Sequence, residues 1–389
     1  MSGNQKLSTV LHVGRPNVGD REVFDRLVDG IFERRWFTNN GQLVHEFESR
    51  LSDYLGVRHC IAVCNATVGL QIACAALELK GEVIVPAFTF VATAHALQWE
   101  RVRPVFADID PYTHNIDPET IEPLITDETS AIMAVHVWGR PCDTDAIEVI
   151  AERNALDVVY DAAHAFGCRH RGRMIGNFGR CEVFSFHATK FFNTFEGGAI
   201  TTNDDGLAKK IRLMTNFGFA GLDNVIHLGT NGKMPEISAA MGLSCFEKLD
   251  EILAANQTNY ETYRACLDRI PGVHMISYDQ LAATNWQYII VEVDEAECGL
   301  TRDALMSVLH LKNVRARRYF YPGCHRMEPY RTLYSEQLNQ LPMTDLLCGR
   351  VLCLPTGTSL TPADVEIVCE IIRSAVDAAP KLHKELATA

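Results

Sequence analysis

Between residues 60 and 205 the chain alternates short apolar runs with amphipathic stretches, and this rhythm is what βα units around a mostly parallel sheet require. The runs are HCIAVC, EVIVP, RPVFADI, AIMAVHVW, LDVVYD, EVFSF and GAITTN. Seven such strands predict one large central sheet. The segment ATKFFNTFEGG, between the last two, is too short to hold a crossover helix, so those strands are expected to be antiparallel neighbours. Helices are expected at TVGLQIACAALEL and DTDAIEVIAERNA. A longer one starts near Pro235, where proline suits the first turn, and is expected to run on as a single element through EISAAMGLSCFEKLDEILAANQTNYETYRACL, joining two domains. After IPGV the pattern changes to WQYIIVEV, TRDALMSVLHLKN, VRARRYFY and a last helix from Pro362, an α+β unit. The expected division is a large domain over residues 1–250, with an N-terminal arm, and a small domain over 251–389.

A length of 389 residues accommodates two unequal domains. A formal charge of −13 argues against nucleic acid or an anionic membrane as partner, so any phosphate ligand must be held locally. Residues 60–77 carry no formal charge, yet Asn65, Thr67 and Gln71 interrupt them, which favours a buried strand and helix over a membrane span. The N-terminus has no apolar run of signal-peptide length, and a cytoplasmic protein is expected. Thirteen scattered cysteines, mostly within apolar stretches, read as reduced core residues, and without zinc-type spacing no metal site is expected. GxGxxG after a strand, GxxxxGK[ST], GxSxG and HExxH are all missing, which argues against dinucleotide, ATP and serine-triad chemistry.

The chemistry-bearing segments follow strands. SFHATK places Lys190 just after an apolar strand among small and hydroxyl residues, where a desolvated amine can form a Schiff base; alone it reads as a surface lysine in a loop, and only its company with Asp161 and the NAT turn favours the Schiff base. VVYDAAHAFG ends a strand on Asp161, with His164 three residues on. A carboxylate there needs a cation, for which a protonated pyridine nitrogen qualifies, or else it caps a helix. AVCNATVGL puts Asn65, Ala66 and Thr67 at a helix N-terminus, whose free amides either bind phosphate or are simply capped. Ser185 and Thr189 offer hydroxyls nearby. In EVIVPAFTF, Phe88 and Phe90 alternate, so one ring can face a flat cofactor while the other packs in the core.

Taken together and in this order, NAT, PAFTF, DAAHAFG, SFHATK with EGG, and NGKMPEISAAMGL resemble the sugar aminotransferases of the DegT/DnrJ/EryC1/StrS family, over nearly the whole chain. The resemblance implies a fold type I, aspartate aminotransferase-like architecture and pyridoxal 5′-phosphate (PLP) as cofactor. It gives Lys190 the Schiff base, Asp161 the pyridine nitrogen, His164 the ring hydroxyl and Phe90 the ring face. Ala66, Thr67 and Ser185 would hold the phosphate, completed by Asn231 from the neighbouring subunit of a homodimer with shared active sites. Further segments, among them HVGRPN, NNGQLVHEFE, PVFADIDP, HVWGRPC, NWQYIIVE and LPTGT, are similar to members that aminate C4 of a TDP-linked 4-keto-6-deoxy sugar with glutamate as donor and 2-oxoglutarate as by-product. Tyr321 and His325 of YFYPGCH would approach the sugar. Relatives that dehydrate rather than transaminate carry histidine at the lysine position, which here is Lys190. Amination at C3 and a non-catalytic PLP-binding regulator are the competing expectations, and the second finds no basic tract for DNA.

Overall fold

The computed structural model describes residues 7, 9–278 and 283–387. All seven apolar runs are strands of one sheet: β1 (His59–Val63), β2 (Glu82–Pro86), β3 (Arg103–Ala107), β4 (Thr129–Val135), β5 (Asp157–Asp161), β6 (Cys181–Ser185) and β7 (Gly198–Thr202). Their spatial order is β1-β7-β6-β5-β4-β2-β3. Only β7 is antiparallel, pairing Gly198 with Ser185 of β6 on one side and with Val63 of β1 on the other. The remaining pairs are parallel, so their crossovers cover both faces of the sheet.

Among the described residues, seven helices of eight residues or more accompany the sheet: α1 (Arg21–Arg34), α2 (Gln42–Leu55), α3 (Ala66–Ala76), α4 (Ala92–Trp99), α5 (Thr144–Asn154), α6 (Asp205–Thr215) and α7 (Glu236–Phe246). Strand alternation sorts the core into two layers. Ile84, Ile132, Tyr160 and Phe184 pack with Phe47 and Leu51 of α2, Ile147 of α5 and Met241 of α7. Val83, Val85, Met133, Val159 and Val183 pack with Leu70 of α3, Leu97 of α4 and Ile211 of α6. Each such fully buried side chain contributes about 1.5–3 kcal/mol.

The start of α2 has a remote cap. Gly41 precedes it without a capping side chain, and the amides of Leu43 and Val44 instead donate to the two carboxylate oxygens of Glu236, both at 3.0 Å. Glu236 is fully buried in the first turn of α7, so two helix N-termini converge on one carboxylate. A Cβ at position 41 would lie 2.5 Å from that carboxyl carbon, which explains the glycine.

The single long helix expected from Pro235 is in fact two, α7 and α8 (Leu249–Leu267), with a turn at Glu247 and Lys248. Their surroundings account for the break. Nearly every residue of α7 is buried within the large domain, whereas α8 has one buried face and runs along the small domain. There the strands β8 (Val273–Met275), β9 (Ile289–Val293) and β10 (Val351–Leu354) form an antiparallel sheet in that order. It packs against α8, α9 (Arg302–Leu311) and α11 (Pro362–Ala387); α10 (Pro342–Arg350) leads directly into β10. The N-terminal segment Leu11–His12 pairs with Val314–Arg315 of this domain.

A last apolar cluster joins the domains, with Phe88, Val135, Val137 and Trp138 from one side and Ile276, Ile290, Phe320 and Cys353 from the other. It lies past the carboxyl ends of β2 and β4, where ligands of open α/β sheets bind. All thirteen cysteines are free and most are buried. Among the described residues no helix is long and apolar enough to cross a membrane.

Candidate active site

Asp161 is the last residue of β5 and is only 5% exposed. The Thr93 hydroxyl donates to one carboxylate oxygen at 2.8 Å and the Ala163 amide to the other at 3.0 Å. Burial pushes this carboxyl up from its ordinary value, while the two hydrogen bonds and the charge of Lys190 pull the other way. Bends and turns follow rather than an α-helix, so Asp161 is not a helix cap. A buried carboxylate with two donors and spare lone pairs suits a cationic N–H.

Lys190 lies in the loop between β6 and β7, its amide donating to the His187 carbonyl at 2.8 Å. The amine stands 3.1 Å from the hydroxyl of Tyr288. Burial lowers its pKa to about 8, against the opposing pull of Asp161. His164 is buried, and its Nδ1 accepts the Trp138 amide at 3.3 Å. That bond assigns the proton to Nε2, leaving His164 a donor, and burial together with Lys190 holds the ring well below the ordinary histidine range, hence neutral.

A flat aromatic wall backs these groups. Trp138 stacks on Phe320 at 5.0 Å and on His164 at 5.9 Å, with interplanar angles of 5° and 11°. Trp138 holds a left-handed φ of 62°, a conformation a bulky residue adopts only where its surroundings fix it. Here its indole donates to His114 at 3.1 Å and its carbonyl accepts from Tyr278 at 3.3 Å.

Past the end of β1, α3 begins at Ala66 and Thr67, and Asn65 accepts the Val68 amide at 2.9 Å. The cap therefore satisfies Val68 and leaves the first two amides of the helix for an anion. Gly198 makes room for this end: a Cβ there would meet the Phe184 carbonyl at 2.6 Å and the Ala66 nitrogen at 2.9 Å. Ser185 closes β6 directly opposite Gly198. Asn231 is exposed, and the carbonyl of its neighbour Gly232 accepts the Cys64 amide at 2.7 Å, so this segment runs beside the NAT turn. The two phenylalanines separate cleanly: Phe88 is fully buried against Trp138 and Phe320, while Phe90 is 57% exposed.

The small-domain pair falls elsewhere. His325 is buried, with Nε2 3.1 Å from an Asp345 oxygen that also receives Arg326, which makes it an anchor of that loop. Tyr321 is half-exposed, its ring flanked by Arg318 at 4.4 Å and Arg302 at 5.3 Å. From this segment it is Phe320 that reaches His164. Sequence reasoning missed Thr93, Trp138, Asn285, Gln287, Tyr288 and Phe320. The polar lead-in NWQ ahead of an apolar strand was the one legible signal: Asn285 and Gln287 both donate to the His164 carbonyl, at 2.8 and 2.9 Å.

Sheet order, a carboxylate closing β5 and a lysine between β6 and β7 define a fold type I enzyme of the aspartate aminotransferase class. Residues 19–373 match the DegT/DnrJ/EryC1/StrS aminotransferase family, and the chain belongs to it. A dTDP-4-amino-4,6-dideoxy-D-glucose transaminase of Shigella dysenteriae is 40% identical over 93% of this chain and 98% of its own length. An Escherichia coli protein of the same name is 35% identical over 93% and 96%. Among solved structures, that of DesI in the presence of its TDP-sugar product superposes with a TM-score of 0.93 at 45% identity, covering 98% of this chain and 97% of that one.

Proposed function

We propose that the chain binds PLP at Lys190 and aminates C4 of TDP-4-keto-6-deoxy-D-glucose, taking the amino group from L-glutamate and releasing TDP-4-amino-4,6-dideoxy-D-glucose and 2-oxoglutarate. The observation that carries the cofactor assignment is a buried lysine in the loop after β6, near enough to the buried carboxylate that ends β5 for the two charges to act on one another. The relatives' names support the substrate, and their coverage of the whole chain supports carrying it over.

When bound, the cofactor supplies an aldehyde carbon for an amine to attack and a pyridinium ring that withdraws electrons. Lys190 uses its neutral amine first as nucleophile and then as the base that moves a proton from the donor's Cα. Asp161 would accept the pyridinium N–H and keep that nitrogen protonated. His164 would donate Nε2–H to the ring hydroxyl, and Phe90 would pack on the ring. Ala66 and Thr67 offer amides, and Ser185 a hydroxyl, to the phosphate. Asn231 completes that site across a homodimer. The apolar hairpin Phe219–Gly221 with Asn224–Val225, whose Phe219, Leu222 and Val225 are exposed, suits burial against a second copy. With substrates that are charged metabolites, the cytoplasm is the compartment we assign.

The test is an absorbance spectrum of purified protein before and after L-glutamate, followed by assays on 4-keto and 3-keto TDP-sugars. A visible band that glutamate bleaches, lost in Lys190→Ala, is expected, with turnover of the 4-keto sugar. Exclusive turnover of the 3-keto sugar would overturn the C4 assignment, and a band without turnover would favour a regulator.

A further inference from the structure

Tyr288 stands at the entrance to β9, where the small domain crosses the lysine of the large one. Its phenolic oxygen is 3.1 Å from the Lys190 amine, and its ring centroid lies 4.6 Å from that of His164 and 5.3 Å from that of Trp138. The position is fixed from several directions. Gln287 accepts the Phe191 amide at 3.1 Å and donates to the His164 carbonyl at 2.9 Å. Asn285 donates to that carbonyl and to the Phe166 carbonyl at 3.0 Å, and the single O–H of Tyr278 is shared between the Tyr288 carbonyl at 3.2 Å and the Trp138 carbonyl at 3.3 Å. The segment is thereby tied both to the loop that carries Lys190 and to the turn that carries His164.

A phenol beside an amine donates its O–H to a neutral nitrogen or accepts from an ammonium. Burial drives the Tyr288 phenol well above its ordinary value, so it keeps its proton, and burial also favours the neutral amine. Asp161 at the end of β5, His164 in the following turn, and Tyr319, Cys353 of β10 and Tyr278 around the phenol are the titratable groups that face this pair. Of these, Asp161 favours the ammonium; His164, held neutral, adds no charge.

We propose that Tyr288 is the resting partner of Lys190: whenever the amine is free of a carbonyl carbon, the phenol holds Nζ in place, accepting from the ammonium and donating to the neutral amine, and this second bond favours the neutral form needed for proton transfer. This rests on Lys190 being the cofactor lysine, as proposed above. It separates two tasks. Asp161 serves the ring nitrogen, while Tyr288 serves the lysine during the interval in which the amino donor has displaced it.

The test compares native enzyme with Tyr288→Phe and Tyr288→Leu. Cofactor-free protein is mixed with PLP from mildly acidic to alkaline pH, and the appearance of the visible Schiff-base band is followed. In Tyr288→Phe the pH midpoint of this reaction should rise by about one unit, the tenfold worth of one hydrogen bond to the neutral amine. Bleaching of the band by L-glutamate should slow about tenfold, with the half-saturating glutamate concentration unchanged. A Tyr288→Phe enzyme with the native midpoint and bleaching rate, when only Tyr288→Leu is impaired, would assign the residue to ring packing and overturn the proposal. A native enzyme that forms no band would overturn the assignment of Lys190 itself, and this inference with it.

Discussion

An ordinary lysine is neutral about once in a thousand molecules at pH 7.5, whereas a lysine brought to about 8 is neutral about once in four, a gain on the order of 240-fold. The nucleophilic attack proposed for Lys190 draws on that fraction. The cause is burial beneath the domain junction, and Asp161 works against it, so Asp161→Asn should push the midpoint below 8 rather than above it. Labelling of cofactor-free protein with acetic anhydride across pH, read by peptide mass spectrometry, measures this directly. The exposed Lys80 and Lys209 serve as references in the same digest. Lys190 should reach half-maximal labelling near pH 8 in native protein and lower in Asp161→Asn. Labelling of Lys190 at the midpoint of the reference lysines, or a rise in the variant, would refute the burial account. The same shift has a stability consequence. The unfolded chain holds this proton up to about 10.5 and the folded one only to about 8, so the cofactor-free protein gains stability as pH rises through that window.

Two substitutions probe the rest of the site. Gly198→Ala forces a Cβ to within 2.6 Å of the Phe184 carbonyl and 2.9 Å of the Ala66 nitrogen, both backbone atoms; a loss of about 1–3 kcal/mol in denaturant unfolding, with weaker PLP affinity in equilibrium titration, is expected. Phe90→Ala, at a position 57% exposed, should change unfolding free energy by less than about 0.5 kcal/mol while weakening PLP binding, a split that a core phenylalanine would not show.

The seven strands were legible because each apolar run ends at a turn or loop and each carries its own side-chain alternation. The antiparallel β7 was legible because the connection to it was too short for anything else. The break between α7 and α8 was not, since EISAAMGLSCFEKLDEIL contains neither glycine nor proline near the break and keeps helix-forming residues throughout. What ends α7 is a change of neighbours, from the interior of one domain to the surface of another. Lys190, Asp161 and the NAT turn each end or follow a strand of the large sheet, so their place in the fold was legible along with the strands. Trp138, Phe320 and Tyr288 arrive from segments far apart in sequence and meet only through docking of the two domains. The segment that carries His325 meets His164 through Phe320, and the histidine itself is turned toward Asp345.

Asn285 and Gln287 hold the His164 carbonyl from a segment more than 120 residues further along the chain. The wall around Lys190 is thus shared property: the large sheet supplies the lysine and Asp161, and the entrance to β9 supplies Tyr288 at 3.1 Å from the amine. Neither half encloses the amine alone, so a substitution that loosens the seat of β9 reaches the lysine without touching the strands that carry it.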